Sequence, residues 1–282
     1  MPTANLGNMR IHYLIDDLTD PWRQPGEVKT VLMFHGSNRN LKFWTPWVST
    51  IARDYRVLRL DAPGFGQSTW PKEVPLSKMR LPMFAETALR LMDHLKMDRV
   101  HWVGALSGGI IGGLFAAAYP ERTASLTLCN TPYRISDEYL DMLSGGYKSM
   151  VECVADLGVG GWRERVERSS LDKSKARPEM SEWIKQEIGK TRTEIGTAYV
   201  RACLPEYADL TDDLPKIKCP TLLMNGDRSP AMPLEMMVYM FRHIARCQMI
   251  VFPGLGGSVD SLIPECCAQA TLEFIRGVEA CP

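Results

Sequence analysis

The sequence predicts an α/β fold: a mostly parallel, eight-stranded sheet flanked by helices, with a helical cap inserted after strand 6. Three observations carry this expectation. Short apolar runs alternate with amphipathic segments, a glycine-rich stretch joins one such run to a helix, and a long central region has no strand signal. Strands that alternate with helices need crossover connections, and these build a parallel sheet covered on both faces.

Taken in order, an antiparallel pair from about Met9 to Leu14 fits at the sheet edge. Lys29–His35 reads as a buried strand, and Arg56–Asp61, Val100–Gly104, Ala124–Cys129, Thr221–Asn225 and Met249–Phe252 read likewise. Helical patterns run near 80–96, 107–119, 233–245 and 264–277. From about Pro132 to Pro215 there are only helical stretches rich in Arg, Glu, Trp and Met, too long for a plain connection. Residues 1–132 and 216–282 are therefore assigned to the core domain and 133–215 to a helical cap, or lid. Trp162 and Trp183, with Met142, Met150 and Tyr147, supply apolar surface either to a pocket or to the packing of cap on core.

Composition narrows the function classes. The chain has 282 residues, 45% hydrophobic and 23% charged, enough for one large α/β domain with an insertion. Thirty-three basic and thirty-three acidic residues cancel, and no long run of like charge points to a nucleic acid or an anionic membrane. The start, Met1 to His12, lacks the build of a signal peptide, and no stretch approaches the roughly eighteen apolar residues of a membrane span. Eight cysteines (Cys129, Cys153, Cys203, Cys219, Cys247, Cys266, Cys267 and Cys281) show neither C-x-x-C nor zinc spacing and read as reduced, mostly packing thiols. A cytoplasmic location follows, with no metal site and no cofactor. The glycines at 108–113 lack the G-K-[ST] ending of a phosphate loop. Oligomeric state is left open, and a homodimer is compatible.

Four motifs, spread over nearly the whole chain, resemble those of the α/β-hydrolase superfamily, in its capped branch. Phe34-His35-Gly36-Ser37 is similar to the oxyanion-hole loop, and Asp61-Ala62-Pro63-Gly64-Phe65-Gly66-Gln67-Ser68 to the D-x-x-G-x-G-x-S turn after the fourth strand. Gly104-Ala105-Leu106-Ser107-Gly108 resembles the G-x-S-x-G nucleophile elbow, followed by the usual helix end at Phe115–Arg122. Cys219–Asp227 is similar to the strand leading to the catalytic acid. The resemblance implies the fold, a cap that roofs the site, and a Ser–Asp–His triad.

All three triad positions depart from that pattern. Counting from Gly104, the nucleophile position is Leu106. The acid position, three residues past Gly226, is Ser229, and the histidine position after the last strand is Gly257. The end of the sixth strand, Cys129-Asn130-Thr131, offers no carboxylate either. Ser107 stands one residue past the apex, so its side chain turns by roughly 100°. It reads as a cap on the following helix, or alternatively as a displaced nucleophile. Of the five histidines (His12, His35, His94, His101 and His243), only His35 borders the expected site, either shaping the loop or touching ligand. Asp227 and Asp260 lie near emptied positions, as lone bases or as solvated loop charges.

The electrophile-binding half of the machinery survives in sequence. The backbone amides of Ser37 and Ser107 are expected to form an oxyanion hole, with Leu106 as an apolar floor and open room at Gly257. The expected catalytic residues are thus Ser37, Ser107 and His35. The expected substrate contacts are Leu106, Gly36, Gly257, Trp162 and Trp183, around a hydrophobic small molecule bearing a carbonyl or enol. Three functions fit: cofactor-free, non-hydrolytic chemistry of lyase, isomerase, decarboxylase or cyclase type; a non-catalytic ligand binder; and an esterase-like hydrolase using Ser107. The first is the leading expectation, because all three triad groups are absent together. Leu106→Ser, Ser229→Asp and Gly257→His would jointly restore a conventional pattern, so the sequence does not tell natural divergence from deliberate inactivation.

Overall fold

The computed structural model describes residues 2–24, 26–170 and 176–280, so Cys281 and positions 171–175 of the expected cap lie outside the described residues. Strands β1 (Thr3–Leu6), β2 (Met9–Asp16), β3 (Thr30–Phe34), β4 (Arg56–Leu60), β5 (Val100–Ala105), β6 (Thr123–Cys129), β7 (Thr221–Gly226) and β8 (Cys247–Phe252) form one sheet in the order β1-β2-β4-β3-β5-β6-β7-β8. β1 and β2 pair antiparallel, β2 meets β4 antiparallel, and every other pair is parallel. The expected eight-stranded sheet is therefore present. β1 and the short helix α1 (Thr45–Ile51) carry no separate signal in the sequence, and the antiparallel pair expected within Met9–Leu14 spans Thr3–Asp16 instead. Strand order reverses between β3 and β5, and the crevice above such a switch point is where open α/β sheets bind ligands.

The sheet has two apolar faces because side chains alternate along each strand. Leu32, Phe34, Leu58 and Trp102 pack on one face with α2 (Leu81–His94) and α3 (Ser107–Ala118). Val31, Met33, Val57 and Val103 pack on the other with α1 and α10 (Pro264–Ala280). α3 is apolar all round, as a helix buried on every side must be. Trp102 is stacked between Phe34 and Phe115, with ring centroids 5.3 and 4.9 Å away.

Among the described residues, four α-helices lie between β6 and β7: α4 (Asp137–Ser144), α5 (Met150–Ser170), α6 (Pro178–Gly189) and α7 (Thr193–Ala202). Gly158, at φ 69° and ψ 171°, breaks α5 into two helical pieces. These helices share their own core of Leu143, Cys153, Val159, Trp162, Ile184 and Ile188. α7 ties them to the sheet: Tyr199 meets Phe65 and Phe84 edge-on at 4.9 and 5.2 Å. Helices α8 (Leu234–His243) and α9 (Val259–Leu262) complete the fold.

Candidate active site

The turn from β5 to α3 is held by close backbone approaches. A Cβ on Gly104 would sit 2.4 Å from the Gly108 carbonyl oxygen, and one on Gly108 would sit 2.4 Å from the oxygens of Phe34 and His35. Only glycine fits at either point. The turn between them forces Leu106 to φ 54° and ψ −125°, a conformation costing a branched residue about 1–3 kcal/mol. Such strain is not confined to Leu106. Of the five non-glycine residues with positive φ among those described, Asn38, Leu106, Asn130 and Ser258 all fall in the loops beyond the carboxyl ends of β3, β5, β6 and β8.

Leu106 and Ser107 both line a chamber of about 100 Å³ under the inserted helices, together with Ser37, Arg39, Ile110, Tyr139, Met150, Trp162, Arg163, Ile184, Cys203, Gly257 and Ser258. Ser107 is the first residue of α3, not its cap. Its hydroxyl lies 2.9 Å from that of Ser37 and accepts a hydrogen bond from the Tyr199 hydroxyl at 3.0 Å. The expectation that it caps a backbone amide is corrected accordingly: its oxygen serves a side-chain cluster joining the sheet to α7. Burial drives the Tyr199 phenol well above its ordinary range and pushes the buried Cys203 thiol up to about 12, against a hydrogen bond from Ser37. The cluster is thus protic throughout. Among the described residues, the backbone amides of Ser37 and Ser107 have no protein hydrogen-bond partner.

His35 lies behind this wall rather than in it. Its Nδ1 is 2.9 Å from the Gly36 carbonyl, and its Nε2 accepts from the Ala62 amide at 2.9 Å. Burial, the largest influence, lowers its pKa and keeps the ring neutral. With both nitrogens engaged it anchors the loop, and it is not among the chamber residues. Trp183 also departs from expectation: it is 37% exposed and packs on Phe43 at 4.7 Å, outside the chamber. Met142 is exposed too, whereas Trp162 lines the chamber and donates Nε1–H to the Leu143 carbonyl at 2.8 Å. Gly36 does not line it; a Cβ there would sit 2.9 Å from the Ala105 carbonyl oxygen and 3.1 Å from the Leu106 Cβ.

At the carboxyl ends of β6 and β7, Ser229 sits in a buried neutral network. Asn130 donates to Asn225 and, at 3.5 Å, to Ser229, and accepts from the Val259 amide at 2.7 Å. Asn225 in turn donates to the Met232 carbonyl at 2.6 Å. Asp227 is exposed and accepts from the Gly254 amide. Asp260 is not the solvated charge that was expected: it is 3% exposed and paired with Arg39 at 2.5 Å. Arg39, which also donates to Ser258 at 3.2 Å, is a chamber residue that sequence reasoning missed. An arginine two residues past Ser37, in a polar loop, carries no signal of burial.

Residues 29–260 match the family described as alpha/beta hydrolase fold. The chain is 26% identical over 276 residues to a 2-hydroxy-6-oxo-6-phenylhexa-2,4-dienoate hydrolase of Burkholderia cepacia, covering 96% of this chain and 92% of that one. Among solved structures it resembles a thermophilic esterase from Thermogutta terrifontis, at TM-score 0.80, 27% identity and coverage of 96% and 94%. It shares its fold with the enol-lactonase from Burkholderia xenovorans LB400, at TM-score 0.81, 22% identity and coverage of 98% and 100%. With more than three-quarters of its length matched, the chain belongs to the alpha/beta hydrolase fold family.

Proposed function

We propose that this protein acts at the carbonyl of a small apolar molecule held under the helical insertion, as a hydrolase, and that Ser37 and Ser107 are the groups meeting that carbonyl. One observation carries the reading: two residues with unpartnered amides, their hydroxyls 2.9 Å apart, stand side by side on one wall of an apolar chamber. Donors fixed in such a site act as an oxyanion hole, worth a few kcal/mol each toward a developing oxyanion. The names of the relatives favour hydrolysis over the lyase-type chemistry that led the sequence expectation.

Within this reading Ser107 donates a hydrogen bond rather than attacking: a water molecule adds to the carbonyl carbon, the bond to the leaving alcohol breaks, and the water's proton departs on that alcohol. The Ser107 neighbours Tyr199 and Cys203 hold their protons more tightly than usual, and among the described residues no histidine lines the chamber. A serine becomes a nucleophile only when a base takes its proton. Leu106, Ser229 and Gly257 at the triad positions support the same conclusion. The second reading, non-hydrolytic chemistry at the same carbonyl, is favoured by one feature: the aliphatic Leu106 at the apex of the strained turn.

Turnover of a panel of neutral p-nitrophenyl esters tests this. Wild-type protein is expected to hydrolyse a short-chain member over many turnovers without being labelled by a fluorophosphonate. Ser107→Pro removes the amide and the hydroxyl at a helix position that tolerates proline, and should cost roughly a hundredfold or more in rate. Absence of any ester turnover would overturn the hydrolytic reading. Labelling that disappears in Ser107→Ala would make Ser107 the nucleophile and overturn its role as donor.

A further inference from the structure

The chamber has a charged end that the carbonyl chemistry does not use. Arg39 is only 6% exposed, yet it lines both the chamber and a wider outer cleft of about 690 Å³. Its guanidinium donates from Nη1 to Asp260 and from Nη2 to Ser258. A guanidinium has five N–H donors, so about three are left without a protein partner. Asp260 stands behind the arginine, and Phe43 lies 5.0 Å from its centre, so its orientation is held from two sides. Among the described residues no carboxylate lines the chamber.

We infer that Arg39 is an anion-recognition residue, and that the molecule acted on in this chamber carries a free carboxylate besides its reactive carbonyl. The inference rests on the carbonyl reading above and names its substrate class as small apolar carboxylic acids. Arg39 is two residues from Ser37 on the same loop, so one small molecule reaches both groups. A planar guanidinium with free N–H groups matches a carboxylate with two bonds, which an ester or amide cannot reproduce. Asp260 acts as a positioning residue, because its carboxylate fixes which donors of Arg39 remain free.

The test is calorimetric titration of the full chain with phenylacetate and with its neutral partner, methyl phenylacetate. Phenylacetate is expected to bind at least about tenfold tighter, the scale of one charge-assisted contact. Arg39→Lys keeps the charge without the fork and should shrink that preference to about threefold or less. Arg39→Met combined with Asp260→Asn removes both buried charges together, avoiding a lone buried carboxylate, and should erase the preference. Equal or tighter binding of the ester by wild-type protein would overturn the inference while leaving the carbonyl reading standing. Failure of phenylacetate to bind would also overturn it. The carbonyl reading itself falls only if neutral esters are not turned over.

Discussion

The two halves of the strand-end crevice are held together in different ways. Beyond β3 and β5 the backbone keeps the strained apex at Leu106, the glycine contacts that enforce it, and two unpartnered amides. Beyond β6, β7 and β8 stand a neutral amide network and a buried ion pair. One half is defined by main-chain geometry, which survives a change of side chain. The other is built from side-chain hydrogen bonds and an ion pair, which a change of side chain removes. Electrostatic help to a carbonyl needs only the first half, whereas nucleophile activation needs both.

The largest effect should come from breaking the main-chain half. Gly108→Ala drives a methyl to within 2.4 Å of two backbone oxygens, neither of which can yield without moving β3. We expect a loss of about 4 kcal/mol or more in denaturant unfolding, or no soluble protein. Asn130→Ala attacks the other half. It strands the buried Val259 amide and the Asn225 side chain, at about 2–3 kcal/mol. It should leave ester turnover nearly unchanged, because the amides at Ser37 and Ser107 are untouched. A collapse of turnover in a folded Asn130→Ala protein would show that the halves are coupled.

This division also governs what the sequence made legible. The sheet, the long helices and the insertion were readable because apolar period and glycine spacing report backbone geometry directly. The apex at Leu106 was placed correctly for the same reason: Gly104 and Gly108 are there to let the backbone pass. Side-chain pairings across long separations were not readable. Arg39 and Asp260 are 221 positions apart, and Tyr199 reaches Ser107 from α7 across 92. Neither partner has a spacing that betrays the other. Trp183 and Trp162 look alike as sequence, and only the packing of α6 on Phe43 sends one outward.

A third, smaller effect separates the site from its support. His101, near the amino end of β5, contacts Ser125 at 2.8 Å and Glu279 at 3.2 Å. Burial, the dominant influence, lowers its pKa from 6.5 to about 4. The folded protein therefore resists a proton that the unfolded chain takes up near pH 6.5. Its contribution is complete above that pH and is lost as pH falls toward 4. Near pH 5 the loss should be about 2 kcal/mol, and His101→Gln should remove much of this acid sensitivity in melting curves. Binding of a neutral ligand in the chamber should not follow the same titration, because His101 lies at the opposite end of the strand. A ligand affinity that tracked His101 would join the two regions.

The smallest effect should come from the position that looks most consequential. Leu106→Ser puts a hydroxyl at the apex, in a backbone already strained, and removes one half-buried side chain at a cost of about 1 kcal/mol. Activity should barely change and fluorophosphonate labelling should stay absent, because the new oxygen would still face a chamber without a base. The triple change Leu106→Ser, Ser229→Asp and Gly257→His supplies the missing chemistry. Gly257 is not among the positive-φ glycines, so backbone strain does not oppose a side chain there. Labelling of the triple variant but not the single one would mean that the main-chain half is a working frame awaiting its side chains. Labelling of Leu106→Ser alone would mean that a base already reaches the apex, and the contrast between the two halves would fail.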